Sequence, residues 1–391
     1  MIKKISKKLI FILGLFVFGG FGGIIADRYL FPYLGASSLF SRYEFLKKGT
    51  ENVTVINKTE QITIKEETSI DKITNKVSSS IVNIISYPQD EPRNNAVKKN
   101  SAANVASEGA KNGTGIVVTG DGLVMTHISA INTEKSKYKI MTYDGNMHDA
   151  ELSAVDSYSG LVFLKAQANN LSAASFGNSD DIKSGEKVIA IGNNLNSYAN
   201  RYAAGLISSF NPFLNLAGSV LSSSEKLEGV YEIDFDYKQY FVGGPVVDYN
   251  GQIIGIAGKI NIDSSNNFFV IPSNRVKNII DRAIKKELDK NPVLGIYYIP
   301  ISKTYALQNG LNVGSGALIH STSEQQGLAV LNDSPAQRAG LKIGDIIVSL
   351  GEQKIDETHA LANTLYNYKK GDKIELTVLR SGQEMKINVE I

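Results

Sequence analysis

A series of short β-strand patterns through the middle of the chain most constrains its fold. Apolar and β-branched residues cluster in short runs, and the turns between them supply the Asp, Asn and Gly that positive φ angles favour, as in Tyr143-Asp144-Gly145-Asn146. Many short strands at such spacing predict a β-barrel or sandwich. The runs lie at 81–85, 115–119, 123–126, 138–143, 161–166, 187–191, 203–208, 230–235, 246–248 and 253–257.

A helix pattern and a break follow the last of these strands. Val276, Ile279 and Ile280 recur at helical spacing after Pro272, and Asp289-Lys290-Asn291-Pro292 then interrupts the chain. We place a domain boundary at this break. Beyond it, strand patterns at 373–379 and 384–391 accompany two helices, one capped at 334–340 and one near 357–368, which predicts a second, smaller β-rich domain.

The N-terminus predicts a membrane anchor. Four lysines at 3, 4, 7 and 8 precede an apolar run from Leu9 to Ala26, which is long enough to cross about 30 Å of hydrocarbon at about 1.5 Å per residue. The lysines predict a cytoplasmic N-terminus and an extracytoplasmic body, hence a single-pass protein of the cell membrane. The alternative is a cleaved signal peptide, for which Ile24-Ile25-Ala26 is a poor cleavage site. We assign 1–33 to the Lys-rich start and anchor, and 34–75 to a linker or stalk.

Composition excludes several classes of function. The 391 residues suffice for two or three domains, and a net charge of +2 gives no reason to expect a nucleic-acid partner. The absence of cysteine excludes thiol catalysis, zinc–thiolate sites and disulfides. We predict no cofactor and no metal.

One loop carries a chemical motif that lacks its reactive atom. The sequence Phe241-Val242-Gly243-Gly244-Pro245-Val246-Val247 is similar to the Gly-x-Ser-Gly-Gly-Pro nucleophile loop of trypsin-like serine proteases, with Val242 at the serine position. In such a loop the glycines let backbone N–H groups face a carbonyl while the serine hydroxyl attacks it. A valine side chain cannot attack, so residues 242–244 would be only the remnant of an oxyanion loop.

Together with other segments, this loop resembles the HtrA (DegP/DegS-like) family over roughly residues 75–391. The resemblance implies a mainly β protein: a trypsin-like double β-barrel at 76–290, with six strands in each barrel and the active site between them. It also implies a PDZ domain at 291–391, a β-sandwich or partly open barrel with two helices. The segments that carry the resemblance are 113–118, 121–126, 176–193, 204–208, 243–245 and 271–274.

All three positions of the family's catalytic triad are substituted. Counted without gaps from Thr126, the histidine position is Ser129. The run Asp156-Ser157-Tyr158-Ser159-Gly160-Leu161 places Gly160 at the aspartate position, and Val242 replaces the serine. A two-residue deletion after Thr126 would instead make His127 the family histidine, although it would still lack a serine and an aspartate partner. We therefore predict a pseudoprotease.

The remaining polar candidates are interpreted as structural. His148, His320 and His359 are predicted on the surface, and Asp156 in a turn. The serines at 222–224 are predicted in a solvated loop, too far upstream to serve as a nucleophile.

The second domain keeps the features that binding requires. PDZ domains bind a C-terminal peptide as an added strand and hold its carboxylate on backbone N–H groups. By resemblance, Val293-Leu294-Gly295-Ile296 is this carboxylate-binding loop, with the helix at 357–368 as the other wall of the groove. The alternative is that these four residues form an ordinary core strand of a degenerate PDZ domain.

Three functional hypotheses follow. The leading one is a membrane-tethered regulator or adaptor of envelope protein quality control, which binds exposed C-termini or unfolded polypeptides without cleaving them. The second is an active serine endopeptidase with a non-standard site, which needs His127 in the cleft beside a serine. The third is a structural envelope protein whose groove binds nothing. The resemblance also implies a homotrimer or a mixed assembly with active relatives.

Overall fold

The computed structural model describes residues 7–30, 33–34, 72–88, 110–193, 200–262, 264–323 and 325–391. The chain divides into two compact units, Met1–Lys72 and Ile73–Ile391. In the first, an α-helix spans Lys7–Ile25 and a π-helical turn spans Ala26–Leu30. Among the described residues, none of the helices has the length and apolar character needed to cross a membrane. Most of the predicted linker at 34–75 lies outside the described residues.

The second unit begins with a helix at 72–78 and a closed six-stranded barrel. Four consecutive residues of its last strand, 161–164, are fully buried, so both faces of that strand are covered. The strands pair in the order β1-β2-β3-β6-β5-β4. They are Ile81–Pro88 (β1), Lys111–Val117 (β2), Leu123–His127 (β3), Ser136–Met141 (β4), Met147–Val155 (β5) and Leu161–Ala166 (β6).

A second closed barrel also has six strands, paired in the order β10-β13-β12-β11-β7-β8. The two six-stranded barrels implied by the family resemblance are therefore confirmed. Short 3₁₀ helices at Ile128–Ala130, Ser179–Asp181 and Lys238–Phe241 connect strands in this region. The strands are Lys187–Asn193 (β7), Asn200–Asn215 (β8), Glu228–Asp234 (β10), Pro245–Val247 (β11), Ile253–Ile262 (β12) and Ser265–Pro272 (β13).

The predicted helix after the second barrel spans Ser273–Ile284 and buries Val276, Ile279 and Ile280, as its apolar stripe indicates. A 3₁₀ turn at Leu288–Lys290 leads into the smaller domain. That domain is a sheet in the order β19-β18-β16-β15-β14-β9, with β17 paired to β16. Its strands are Ser222–Ser223 (β9), Tyr297–Ile301 (β14), Gly316–Ile319 (β15), Ile346–Leu350 (β16), Gln353–Lys354 (β17), Lys373–Arg380 (β18) and Gln383–Glu390 (β19).

Short helices cover this sheet and differ in part from the prediction. The capped helix is confirmed at Pro335–Arg338, where the Ser334 hydroxyl accepts from the Gln337 N–H. The second predicted helix is shorter than expected and spans Leu361–Leu365, because residues 356–359 form bends in front of it. Two further short helices, Lys303–Gln308 and Gln326–Ala329, were not predicted from the sequence.

Candidate functional site

The loop that resembles a nucleophile loop is folded, but its N–H groups are engaged. The Gly243 N–H donates to the Ala257 carbonyl at 2.8 Å, and the Gly244 N–H donates to the Phe241 carbonyl at 2.9 Å. Gly243 has φ +82°, where a Cβ atom would lie 2.3 Å from Thr126 Oγ1. The glycines thus fix the shape of the loop, and both of their N–H groups are used within the protein.

Val242 is an apolar packing residue. Its side chain is 8% exposed and belongs to the apolar cluster of the first barrel, which includes Ala130 and Ile131. The position that carries a nucleophile in the resembled loop therefore joins the second barrel to the core of the first. This contact favours the substitution physically, since valine buries apolar area there that serine cannot.

His127 is turned inward at the end of β3. It is buried, its ring meets Phe269 edge-on at 5.6 Å between centroids, and its Nδ1 lies 2.7 Å from Ser129 Oγ. Burial, with a smaller contribution from the charge of Lys111, lowers the pKa of His127 to about 4, although a hydrogen bond to the Ser159 backbone opposes the shift. At neutral pH this imidazole is uncharged.

The His127–Ser129 pair satisfies the distance that an active endopeptidase would need, yet it is a weak catalytic pair. A general base works best with a pKa near the working pH, and a pKa of about 4 makes the imidazole a poor proton acceptor. The same Nδ1 also accepts the Ser129 N–H at 3.2 Å as the cap of the 3₁₀ turn. The hydrogen bond is thus explained by local capping.

Gly160 leaves no room for a carboxylate that would orient a histidine. Its φ is +78°, and a Cβ atom built on it would lie 2.9 Å from His127 Nε2 and 3.2 Å from Ile128 Cγ2. The inward imidazole therefore occupies the space where an aspartate side chain would start. Asp156 is buried in the preceding turn and accepts from the Ser159 N–H and hydroxyl, which confirms it as a turn residue.

The cleft between the barrels is polar and basic. Lys111 donates to the Ser129 carbonyl at 2.7 Å, and Lys259 is close enough for its charge to act on Lys111. Burial, followed by the charge of Lys259, lowers the pKa of Lys111. The cavity measures about 160 Å³, and Ser129 and Val242 both line it. Two of the three predicted triad positions therefore line one small cleft.

The predicted carboxylate-binding loop lies directly before β14. Two of its backbone carbonyls accept hydrogen bonds from a later segment of the domain: the Leu331 N–H donates to the Gly295 carbonyl, and the Ala336 N–H donates to the Leu294 carbonyl. Gly295 has φ +81°, and a Cβ there would lie 2.4 Å from the Ser334 Cβ. The side chains of Leu294 and Ile296 are buried in the core of the smaller domain, so the loop can meet a polar partner only through its backbone N–H groups.

The serines at 222–224 are not in a solvated loop, so that prediction was wrong. All three are buried, and β9 pairs antiparallel with β14, opposing Ser223 to Tyr297 and Ser222 to Tyr298. A run of small polar residues satisfies its hydrogen bonds at a sheet edge as well as it would in water. The partner strand lies far along the chain, so no local pattern indicated the pairing.

A buried polar cluster joins the two domains and was also missed from the sequence. Glu228, at the start of β10, accepts from the Tyr298 hydroxyl. The Glu228 N–H donates to the Asn363 side-chain oxygen at 3.1 Å, and the Asn363 side-chain NH₂ donates to the Glu228 carbonyl at 2.5 Å. The Tyr158 hydroxyl donates to the same Asn363 oxygen. Burial raises the pKa of Glu228 to about 7, against the opposing hydrogen bonds from Tyr298 and Asn215.

Family models match both folded domains. A trypsin-like peptidase domain matches residues 113–256, and a PDZ domain matches residues 292–391. Among solved structures, an HtrA-type protease AlgW with a tripeptide superposes with a TM-score of 0.61 at 22% identity, covering 81% of this chain and 95% of that one. The same protease with a decapeptide gives a TM-score of 0.59 at 22% identity, with 81% and 96% covered. These likenesses show the fold.

Curated relatives are proteases of bacteria. A serine protease Do-like HtrA of Bacillus subtilis is 29% identical over 341 residues, covering 84% of this chain and 73% of that protein. A probable periplasmic serine endoprotease DegP-like of Bartonella henselae is 28% identical over 313 residues, with 78% and 57% covered. One of the same description from Chlamydia muridarum is 30% identical over 286 residues, with 72% and 54% covered. The chain spans little more than half the length of the DegP-like relatives.

Proposed function

The chain is a homologue of the HtrA and DegP-like proteases, with a trypsin-like peptidase domain followed by a PDZ domain, and we propose that it binds polypeptides without cleaving them. In this proposal it acts as a regulator or adaptor in protein quality control of the envelope. The periplasmic description of the Bartonella henselae relative is consistent with an extracytoplasmic body.

The observation that carries the proposal is the packing of Val242. A buried valine stands in the nucleophile loop, the N–H groups of Gly243 and Gly244 are bonded within the protein, and the His127 ring fills the space beside Gly160. The valine removes the nucleophile, the glycine bonds hold the loop in its shape, and the inward ring leaves no room for a group that would orient the base. Losing the triad of a serine protease costs on the order of 10⁶ in turnover.

Peptide binding is proposed on the basis of the smaller domain. The loop at 293–296 has the rigid, glycine-dependent backbone that carboxylate binding requires, and AlgW has been solved with peptides of two lengths. By this proposal the ligands are exposed protein C-termini or unfolded segments. A non-cleaving trimer, or an assembly mixed with active relatives, would present several such grooves together.

Membrane anchoring through residues 9–26 belongs to the same proposal, supported by the lysines that precede this run and by its apolar composition. Alkaline extraction of membranes from cells that produce the full chain tests it. An anchored protein stays in the pellet, whereas release into the supernatant would contradict the anchor.

The absence of catalysis is tested by labelling the purified full chain with a fluorophosphonate and mapping adducts by mass spectrometry. An active HtrA protease is the positive control, and Ser129→Ala is the matched variant. We expect no adduct and no cleavage of unfolded casein. An adduct on Ser129 that disappears in Ser129→Ala would establish the His127–Ser129 pair as a catalytic dyad and refute the proposal.

Restoring the serine alone should not restore activity. We expect Val242→Ser to remain unlabelled, because the His127 ring stays turned toward Ser129 and Gly160 supplies no carboxylate to orient it. Rapid labelling of residue 242 in this variant would show that a single substitution separates the chain from an active protease.

A further inference from the structure

The edge of the smaller domain's sheet is already paired with the chain's own β9. PDZ domains take up a peptide as an extra strand on a free sheet edge. Here β14 is the strand at that edge, and Ser222 and Ser223 lie antiparallel to Tyr298 and Tyr297. The next residue continues the pairing, since the Ser224 N–H donates to the Ile296 carbonyl at 3.1 Å.

A carboxylate also sits on the candidate carboxylate-binding loop. Glu225 Oε1 accepts the Leu294 N–H at 2.9 Å and the Gly295 N–H at 2.8 Å. The hydroxyls of Ser223 and Ser224 donate to the same carboxylate at 3.2 Å and 2.7 Å. Two backbone donors and two hydroxyls converge on one anion, and charge-assisted hydrogen bonds of this kind are the strong ones.

The direction of the segment matches that of a bound C-terminus. From Ser222 to Glu225 the chain passes Tyr298, then Tyr297, then Ile296, and reaches the loop at Gly295. A peptide that pairs antiparallel with β14 and ends in a carboxylate on this loop would run the same way. The side chain of Glu225 thus takes the place of a terminal carboxylate, after which the main chain turns away through a bond from the Lys226 N–H to the Ser223 carbonyl.

We propose that residues 222–225 are a built-in ligand that fills the peptide groove in cis, so that an outside C-terminus must displace Glu225 before it can bind. This inference rests on the proposed peptide binding and adds its regulation. The partner is defined by chemistry: a polypeptide with a free terminal carboxylate that can pair with β14. Amidated termini lack the group that competes with Glu225.

Displacement of residues 222–225 from the groove would also affect the second barrel, because the same segment leads into β10. Lys226 Nζ donates to the Ser157 carbonyl, and Glu228 follows two residues later with its bonds to Asn363 and Tyr298. An outside peptide therefore competes with the segment that joins the two domains. Binding at the groove and loosening of this contact are coupled through residues 222–228.

The test compares the full chain with Glu225→Ala. The matched control is Glu384→Ala, which removes an exposed carboxylate from β19 at the opposite edge of the same sheet. Hydrogen exchange by NMR follows the Leu294 and Gly295 amides. Fluorescence anisotropy follows binding of a pool of short peptides with random C-terminal residues, prepared both as free acids and as amides.

We expect Glu225→Ala to accelerate exchange at both amides by at least about tenfold and to tighten binding of the free-acid pool by a similar factor. The amidated pool and the control variant should show neither change. Unchanged exchange, or equal affinity of the parent chain and Glu225→Ala for the free-acid pool, would overturn the built-in ligand.

A reversible lock gives a second, independent test. The chain has no cysteine, so Ser223→Cys with Tyr297→Cys creates a single possible disulfide between cross-strand partners, which lie within the distance a disulfide needs. The oxidised variant should not bind the free-acid pool, and reduction should restore binding. Equal binding in both redox states would refute displacement.

Failure of peptide binding is distinguishable from failure of the built-in ligand. If Glu225→Ala and the reduced variant bind neither pool while exchange at Leu294 and Gly295 still accelerates, the built-in ligand stands and the proposed peptide binding falls. If peptides bind but exchange does not depend on Glu225, the proposed peptide binding stands and the built-in ligand falls.

Discussion

The buried carboxyl of Glu228 gives the sharpest prediction for stability. Its side chain is 1% exposed and lies between the second barrel and the smaller domain, where burial raises its pKa from 4.5 to about 7. A carboxyl whose pKa is higher in the folded protein holds its proton better there than in the unfolded chain. Its contribution to stability is therefore complete below about pH 4.5 and is lost as the pH rises through about 7.

The size of the effect follows from that shift. A rise of roughly 2.5 units at about 1.36 kcal/mol per unit corresponds to about 3 kcal/mol at full titration. Between about pH 5 and about pH 8, the free energy of unfolding should lose about 2.5 kcal/mol of this contribution. The Tyr298 hydroxyl remains a donor to either form of the carboxyl, because burial and the nearby Glu228 charge raise its own pKa well above the usual value.

The measurement is urea unfolding of the full chain and of Glu228→Gln at both pH values, followed by circular dichroism and tyrosine fluorescence, since the chain contains no tryptophan. Glutamine keeps the shape and the acceptor oxygen but cannot ionise. We expect the free energy of unfolding of the parent chain to fall relative to the variant by about 2.5 kcal/mol as the pH rises. Glu232→Gln, on the exposed face of the same strand, is the control.

The reasoning is refuted if the parent chain and Glu228→Gln show the same pH dependence, or if the parent chain becomes the relatively more stable one as the pH rises. Either result would mean that the carboxyl is ionised in the folded protein at neutral pH. The bonds from Tyr298 and Asn215 would then outweigh the cost of burial.

Other predictions concern the cleft and the glycines. The pH dependence due to His127 runs in the opposite direction to that of Glu228. Because the pKa of His127 is lowered to about 4, the free energy of unfolding should fall by about 2 kcal/mol from about pH 7 to about pH 5. The variant His127→Phe should lack this loss in the same unfolding assay. Gly244→Ala would place a Cβ 2.0 Å from the Ile191 carbonyl and should cost at least about 2 kcal/mol. Gly145→Ala, at φ +83° in open space, should cost about 1 kcal/mol, so equal melting temperatures for the two variants would contradict the steric argument. Gly295→Ala should abolish peptide binding, since its Cβ would meet Ser334 and force the loop open; unchanged affinity in the anisotropy assay would show that the loop tolerates a side chain.

Much of the fold could be predicted because it depends on local patterns. Strand 161–166 matched β6 residue for residue, and the stripe at Val276, Ile279 and Ile280 matched a helix. The helix predicted at 357–368 was too long, since its first residues form bends and the helix itself spans Leu361–Leu365. Asp356 accounts for this: its carboxylate accepts from the Thr358 and His359 N–H groups, which favours a turn over a helix there.

The sequence alone determined that a trypsin-like domain precedes a PDZ domain. Motif spacing also predicts, without any coordinates, that Ser129, Gly160 and Val242 stand at the triad positions. Only the tertiary structure decided the surroundings of these residues: Val242 packs into the first barrel, and the His127 ring blocks the space beside Gly160. Burial of this kind depends on strands from both barrels, which no local pattern records.

The peptide groove beside β14 also separates what the sequence predicts from what only the tertiary structure decides. The sequence predicts that Val293–Ile296 is a carboxylate-binding loop, but it also predicts, wrongly, that the serines at 222–224 lie in a solvated loop. Glu225 meets Gly295 across 70 positions of the chain. Serine and glutamate are equally satisfied by water or by a sheet edge, so their types do not distinguish the two environments. Contact between distant segments, set by the packing of two domains, placed a carboxylate on the loop.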